Sequence, residues 1–225
     1  MLLLAIDTAT SAVTVALHDG QTVLAERTTL DSRRHGELVA PAMAGVLAEA
    51  GRTPGDVSAV VSGTGPGPFT GLRVGLVTAR TFAFARAIPV FGVCSLDAMA
   101  HQAWLEDEVG VGRSCVVATD ARRKEVYWAR YDITAGGAVR RGQPMVAKAS
   151  SIAAQVQGLP VIGRGAILYA DSFGPVVGPL DVSAGALADL AARMMAAGHE
   201  LHSPEPMYLR RPDAIPPPPR KAALP

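Results

Sequence analysis

A chain of 225 residues, 49% hydrophobic and 18% charged, can bury a core as one large domain or two small ones, and is too apolar to be disordered. A formal net charge of +1 excludes a strong overall field toward nucleic acid or membrane, and the basic doublets Arg33-Arg34, Arg122-Arg123, Arg140-Arg141 and Arg210-Arg211 are scattered. The cysteines Cys94 and Cys115 lie beside apolar runs and read as buried thiols, no apolar stretch reaches membrane length, and Met1–Asp7 lacks a basic leader, so the expectation is a cytoplasmic protein with no membrane partner.

In chain order, the apolar run 2–7 and the alternating run 12–19 predict two strands, and Asp19-Gly20 a hairpin turn into a third strand over 22–30. Residues 37–50 predict a helix with Val39, Met43, Val46, Leu47 and Ala50 on one face and Pro41 in its first turn. Residues 57–62 and 89–93 predict buried parallel strands joined by a helix over 70–86, and Ser95 is expected to cap a helix through about Glu108. The pattern then restarts. A strand over 114–119 ends on Asp120 as the first strand ends on Asp7, and six residues after each aspartate stands a valine, Val13 and Val126. The shared offsets Val15 with Trp128 and Ala16 with Ala129 suggest an internal duplication. Strands over 125–133, 138–146 and 160–162, a short helix near 150–157 and a helix over 183–197 follow. The expected division is 1–109 and 110–203, with 204–225 a Pro-rich C-terminal segment, mobile at its end.

The segment Gly65-Pro-Gly-Pro-Phe-Thr-Gly-Leu-Arg-Val-Gly75 joins the strand over 57–62 to the helix over 70–86. Such a corner can hold phosphate at a helix N-terminus or simply turn the chain. It lacks the Lys-Ser/Thr pair of a P-loop and has Thr70 where a dinucleotide fingerprint needs glycine. Along the helix Gly71, Gly75, Ala79, Ala83 and Ala87 form a stripe of small residues, flanked by Leu72, Leu76, Val77, Phe82 and Phe84. The stripe serves either close packing inside the chain or a subunit interface. Arg73, a cation in the first turn, either binds an anion or pairs with a carboxylate such as Asp7 or Asp120, the second being preferred. Asp7 with Thr8 and Thr10 is either a phosphate- or metal-holding corner or an Asx-type turn. No HxxxH or HExxH occurs; His199 and His202 stand three apart beside the Pro-rich tail.

The 65–75 segment resembles the GPGSFTGLRVG signature of the TsaB (YeaZ) family. The opening Leu4-Ala-Ile-Asp-Thr-Ala-Thr10, the segment Arg33-Arg-His-Gly-Glu-Leu38, Asp120-Ala-Arg-Arg-Lys-Glu-Val-Tyr127 and Pro206-Met-Tyr-Leu-Arg210 agree with it. The resemblance implies an α/β actin-like ATPase fold (ASKHA, ribonuclease H-like) of two duplicated βββαβαβα-type lobes, the second reduced. It also implies a non-catalytic, dimerising subunit in making N6-threonylcarbamoyladenosine at position 37 of tRNA. The implied partners are a TsaD-type catalytic subunit and a TsaE-type ATPase, with a homodimer when the chain is alone and tRNA met only indirectly or weakly. ATP would be used through TsaD and TsaE, with no cofactor or metal held by this chain, and the absent HxxxH agrees with that role. The implied interface lies on the first two helices, through Val39, Met43, Val46, Leu47, Gly71, Leu72, Gly75, Leu76, Ala79 and Ala83. Two positions depart from the pattern, Pro68 and Gly36 each standing for a serine. The competing reading is an ATP-binding enzyme of the same fold, kinase-like, using the turns at Asp7, Thr8, Thr10 and Asp120; Ala121-Arg122-Arg123 lacks the glycines that let a phosphate approach the backbone.

Overall fold

The computed structural model describes residues 1–31, 33–201 and 203–210; the remaining C-terminal residues and His202 lie outside the described set, as does the mobility expected of the tail. Strands β1 (Leu3–Asp7), β2 (Ala12–His18) and β3 (Val23–Leu30) form an antiparallel meander. Then come α1 (His35–Glu49), β4 (Ala59–Gly63), α2 (Phe69–Arg86), β5 (Val90–Val93) and α3 (Ser95–Leu105). β4 lies parallel to β1 and β5 parallel to β4, giving the sheet order β3-β2-β1-β4-β5. The second half repeats the plan: β6 (Ser114–Asp120), β7 (Glu125–Thr134) and β8 (Gly137–Lys148) form the meander, followed by α4 (Ala149–Ile152), β9 (Val161–Ile162), α5 (Arg164–Leu168) and α6 (Ala184–Ala196). Its order is β8-β7-β6-β9, the same arrangement with the fifth strand missing.

β1 and β2 are buried along their whole length; β1 therefore reads as a continuous apolar run, and the alternating polar positions of β2, Thr14 and His18, are buried as well. One face of the first sheet, through Leu4, Ile6, Val13 and Val15, packs on α1 and α2. The other face, through Leu3, Ala5 and Ala16, joins α3, α6 and the second sheet's Cys115, Val117, Tyr131 and Ile162 in one cluster. The two helices between the sheets are therefore shared by both halves. Asp97 on α3 adds a polar tie, accepting from the Tyr131 hydroxyl at 2.7 Å and from Arg140 Nη1 at 2.7 and 2.8 Å. The back of the second sheet is closed by Ala149, Ile152 and Val156 packing on Val116 and Trp128.

Some element ends differ from expectation. Because α1 begins at His35, Pro41 sits in its second turn, one of the few places where a missing N–H must be tolerated inside a helix. Ser95 is the first residue of α3 and not its cap; its hydroxyl is used elsewhere. α5, five residues long, has too little periodicity to be read from sequence.

Candidate functional site

The turn after β1 is built by Asp7 and Thr8. Asp7 is fully buried; its Oδ1 accepts the Ala9 N–H at 2.7 Å and its Oδ2 accepts the Ser95 hydroxyl at 2.5 Å. Burial pushes its carboxyl up to about 6, against the opposing effect of those two hydrogen bonds. Asp120 ends β6 in the same way, its Oδ1 accepting the Arg122 N–H at 2.8 Å. Both aspartates thus make the same Asx turn at equivalent places in the two halves. Thr10 uses its hydroxyl to accept the Ala12 N–H at 3.3 Å, and its carbonyl meets His35 Nε2 at 3.2 Å.

Thr8 explains the small residues of α2. Its hydroxyl donates to the Gly71 carbonyl at 2.7 Å and accepts the Gly75 N–H at 2.9 Å, so the turn is plugged into the helix. A Cβ at Gly75 would lie 2.6 Å from Thr8 Oγ1, and one at Gly67 would lie 2.4 Å from the Ala9 carbonyl oxygen. The 65–75 segment is a seat for the first turn of the protein: its glycines admit backbone and hydroxyl where a side chain would stand.

The expected interface residues are corrected by this packing. Val39, Met43, Val46, Leu47, Gly71, Leu72, Gly75, Leu76, Ala79 and Ala83 are all buried within the chain. A residue that fills its own core cannot also present its side chain to a partner. Arg73 is corrected too. It meets neither Asp7 nor Asp120: its guanidinium lies 3.6 Å from the Phe69 ring centroid, and its Nε donates to the Tyr208 hydroxyl at 2.7 Å. What α2 offers to the outside is the opposite face, where Arg73, Val77, Arg80 and Phe84 recur at helical spacing. Val77 is 60% and Phe84 89% exposed. A shallow apolar groove runs beside them, lined by Gly36, Phe69, Thr70, Arg73, Val74 and Val77. Once the small residues are known to face inward, the 3.6-residue period places Val77 and Phe84 outward; that inference needed the inside defined first.

Between the halves lies a cleft bordered by Thr10, His35, Thr70, Thr119, Asp120 and Arg122. The Thr119 hydroxyl is buried and has no hydrogen-bond partner among the described residues. Arg164, which also lines the cleft, is held by Asp181 through Nε at 2.8 and 3.0 Å. Arg122, Arg123 and Lys124 take three successive left-handed conformations, φ 62°, 53° and 64°, which side chains disfavour. The cleft brings Thr10 and Asp120 together but leaves Asp7 sealed beneath Ser95. Among the described residues no three His, Cys, Asp or Glu side chains converge to hold a metal ion, and no helix is long and apolar enough to cross a membrane. The Cys94 and Cys115 thiols are buried, which pushes both up to about 12.

Two sheets of the same meander-plus-parallel plan, each opening with an aspartate turn at a shared cleft, define a duplicated actin-like (ASKHA) α/β protein. The family model described as "TsaD: tRNA N6-adenosine threonylcarbamoyltransferase" matches residues 22–183. YeaZ from Pseudomonas aeruginosa superposes with a TM-score of 0.77 at 31% identity, over 92% of this chain and 99% of that one. The tRNA threonylcarbamoyladenosine biosynthesis protein TsaB of Escherichia coli is 41% identical over 131 residues, 58% of this chain and 55% of that protein. An uncharacterized protein of Mycobacterium tuberculosis is 44% identical over 221 residues, 95% of this chain and 93% of its own length. This chain belongs to the TsaB/YeaZ family.

Proposed function

We propose that this chain serves in tRNA N6-threonylcarbamoyladenosine biosynthesis as a subunit without chemistry of its own, docking on a TsaD-type catalytic subunit through the outer faces of α1 and α2. The observation that carries this reading is the exposed apolar face of α2, with Val77 at 60% and Phe84 at 89% exposure beside a groove. Arg73, Arg80 and Arg86 are the charged residues of α2, which has no acid of its own. Arg80 is paired with Glu205, so on this face Arg73 is left without an acidic partner among the described residues; it suits a partner helix that sets a carboxylate beside an apolar ridge better than a second copy, whose α2 has no acid to offer. The homodimer is therefore the weaker assembly, formed when the chain is alone, and a TsaE-type ATPase joins through the complex. On this reading ATP and tRNA are handled by the other subunits. The sealed carboxylate of Asp7 supports it, since neither oxygen is open to a metal-bound phosphate.

The direct test is reconstitution. Modification of tRNA by the TsaD- and TsaE-type subunits should require this chain and should fail with Val77→Glu, which should fold normally because the residue is exposed. Full activity without the chain would sink the proposal. A second reading, a nucleotide-binding enzyme, is favoured by one observation, the unpartnered Thr119 hydroxyl in the cleft. Calorimetry of the isolated protein with Mg-ATP separates the two, since tight binding belongs only to the second.

A further inference from the structure

The last described residues, 203–210, form a strap that no part of the preceding function uses. Arg80 Nη2 donates to the Pro204 carbonyl at 2.6 Å and to Glu205 Oε1 at 2.6 Å. The Met207 N–H donates to the Thr64 carbonyl at 2.9 Å, and the Tyr208 hydroxyl accepts from Arg73. Arg210 Nη1 then donates to the Ala121 carbonyl at 2.8 Å, on the turn between β6 and β7. The strap thus runs along α2 in the opposite direction, meeting Arg80 before Arg73, and ends on the second sheet.

Tyr208 of the strap joins a three-membered stack at the end of the α2 groove. The Phe69 and Tyr208 rings are 4.9 Å apart, and the Arg73 guanidinium lies 3.6 Å from the Phe69 centroid and 5.6 Å from that of Tyr208. Arg73 is exposed and Tyr208 is 41% exposed, so the stack is solvated. Solvated cation–ring contacts contribute little to folding, about 0.5–1 kcal/mol, while ordering an arginine side chain costs about as much or more. Folding alone is a poor reason to build such a stack. Binding is a better one, because side chains already held in place need not be ordered when a partner arrives. Phe69 and Arg73 line the groove, and the described partners of Arg73 are a hydroxyl and two rings, none of them charged.

We propose that the strap, through Tyr208, is a positioning device for the docking face: it holds Phe69 and Arg73 in their docked conformation and leaves the Arg73 charge for a carboxylate on the partner. The proposal rests on the docking reading above and names the partner chemistry it requires, a helix whose apolar ridge enters the groove with an acidic residue opposite Arg73. Tyr208 touches no reacting group and acts through Arg73 and Phe69.

The test measures affinity for the TsaD-type subunit of the same organism, beside the melting temperature of the isolated full chain. Tyr208→Ala should weaken binding roughly tenfold, the worth of two side chains that must be ordered on docking, with Tm nearly unchanged. Tyr208→Phe, which keeps the ring and loses the hydrogen bond to Arg73, should recover about half of that loss on a logarithmic scale. Val77→Glu should abolish binding. Unchanged affinity in Tyr208→Ala while Val77→Glu abolishes binding overturns the strap proposal and leaves the docking reading standing. An affinity loss accompanied by a large drop in Tm and not recovered by Tyr208→Phe also overturns it. Wild-type binding by Val77→Glu removes the docking reading itself.

Discussion

Gly75→Ala is the perturbation that most directly probes how the glycine-rich segment works. In an exposed helix interior the change would stabilise by about 1 kcal/mol, because alanine has the higher helix propensity. Here the new Cβ would lie 2.6 Å from Thr8 Oγ1, well inside van der Waals contact, with Thr8 N and Cβ following at 3.5 and 3.6 Å. Relief requires Thr8 to move, and its hydroxyl holds both the Gly75 N–H at 2.9 Å and the Gly71 carbonyl at 2.7 Å. Losing two buried hydrogen bonds costs about 1 kcal/mol each, and overpacking a buried contact costs roughly 1–3 kcal/mol. The propensity gain offsets only part of this. Gly75→Ala should therefore destabilise by about 2 kcal/mol, or roughly 4–8 °C in Tm for a chain of this size. Urea denaturation followed by circular dichroism measures it. The same substitution in a Thr8→Ala background should be neutral or stabilising, since the clashing atom is gone and the next ones lie at ordinary contact distance. A Gly75→Ala protein as stable as wild type, or a cost unchanged by removing the Thr8 hydroxyl, would refute the close approach as the reason for glycine.

The folded-state pKa of Asp7, about 6, lies above its ordinary 3.8, so the folded chain binds the extra proton and stability should fall as pH rises from about 4 to about 6, then level off. Asp7→Asn, which can keep the Ala9 and Ser95 hydrogen bonds, should remove that slope, amounting to at most about 3 kcal/mol; a slope equal to wild type in the variant would show that another group titrates. Arg140→Met should destabilise at pH 7 by about 2 kcal/mol, because the half-buried Asp97 loses its two contacts to Arg140 and keeps only the Tyr131 hydroxyl. Adding Asp97→Asn should recover part of the loss, and no recovery would mean that packing of the arginine stem and not the carboxylate is responsible. Cys94 and Cys115 should resist a thiol-exchange reagent at pH 8 in the folded protein and react fully in denaturant, as thiols pushed up to about 12 by burial must; fast native labelling would place one of them at the surface.

Much of the architecture was legible along the chain. Alternation and apolar runs located the strands, and the recurrence of aspartate then valine at Asp7–Val13 and Asp120–Val126 announced two like halves, now seen as matching Asx turns at the ends of β1 and β6. α5 escaped because one turn of helix has no period to detect. The candidate site was only half legible. A stripe of small residues on α2 is visible in the sequence, and so are Val77 and Phe84 beside it, but the sequence leaves open whether the stripe packs inward or meets a partner, and the interface that the resemblance implies takes in Leu72 and Leu76 without Val77 and Phe84.

The amino-acid sequence by itself determined the order of elements, the duplication and the motif set of the TsaB/YeaZ family, because periodicity, turn chemistry and motif spacing are local properties of the chain. Tertiary structure decided which way α2 faces, where Arg73 points and whether Asp7 is open. Each of those answers depends on a residue distant in sequence: Thr8 against Gly75, Tyr208 against Arg73, Ser95 against Asp7. Small residues at every fourth position suit a neighbouring helix or a plugged-in turn equally well, and only the placement of the turn distinguishes them.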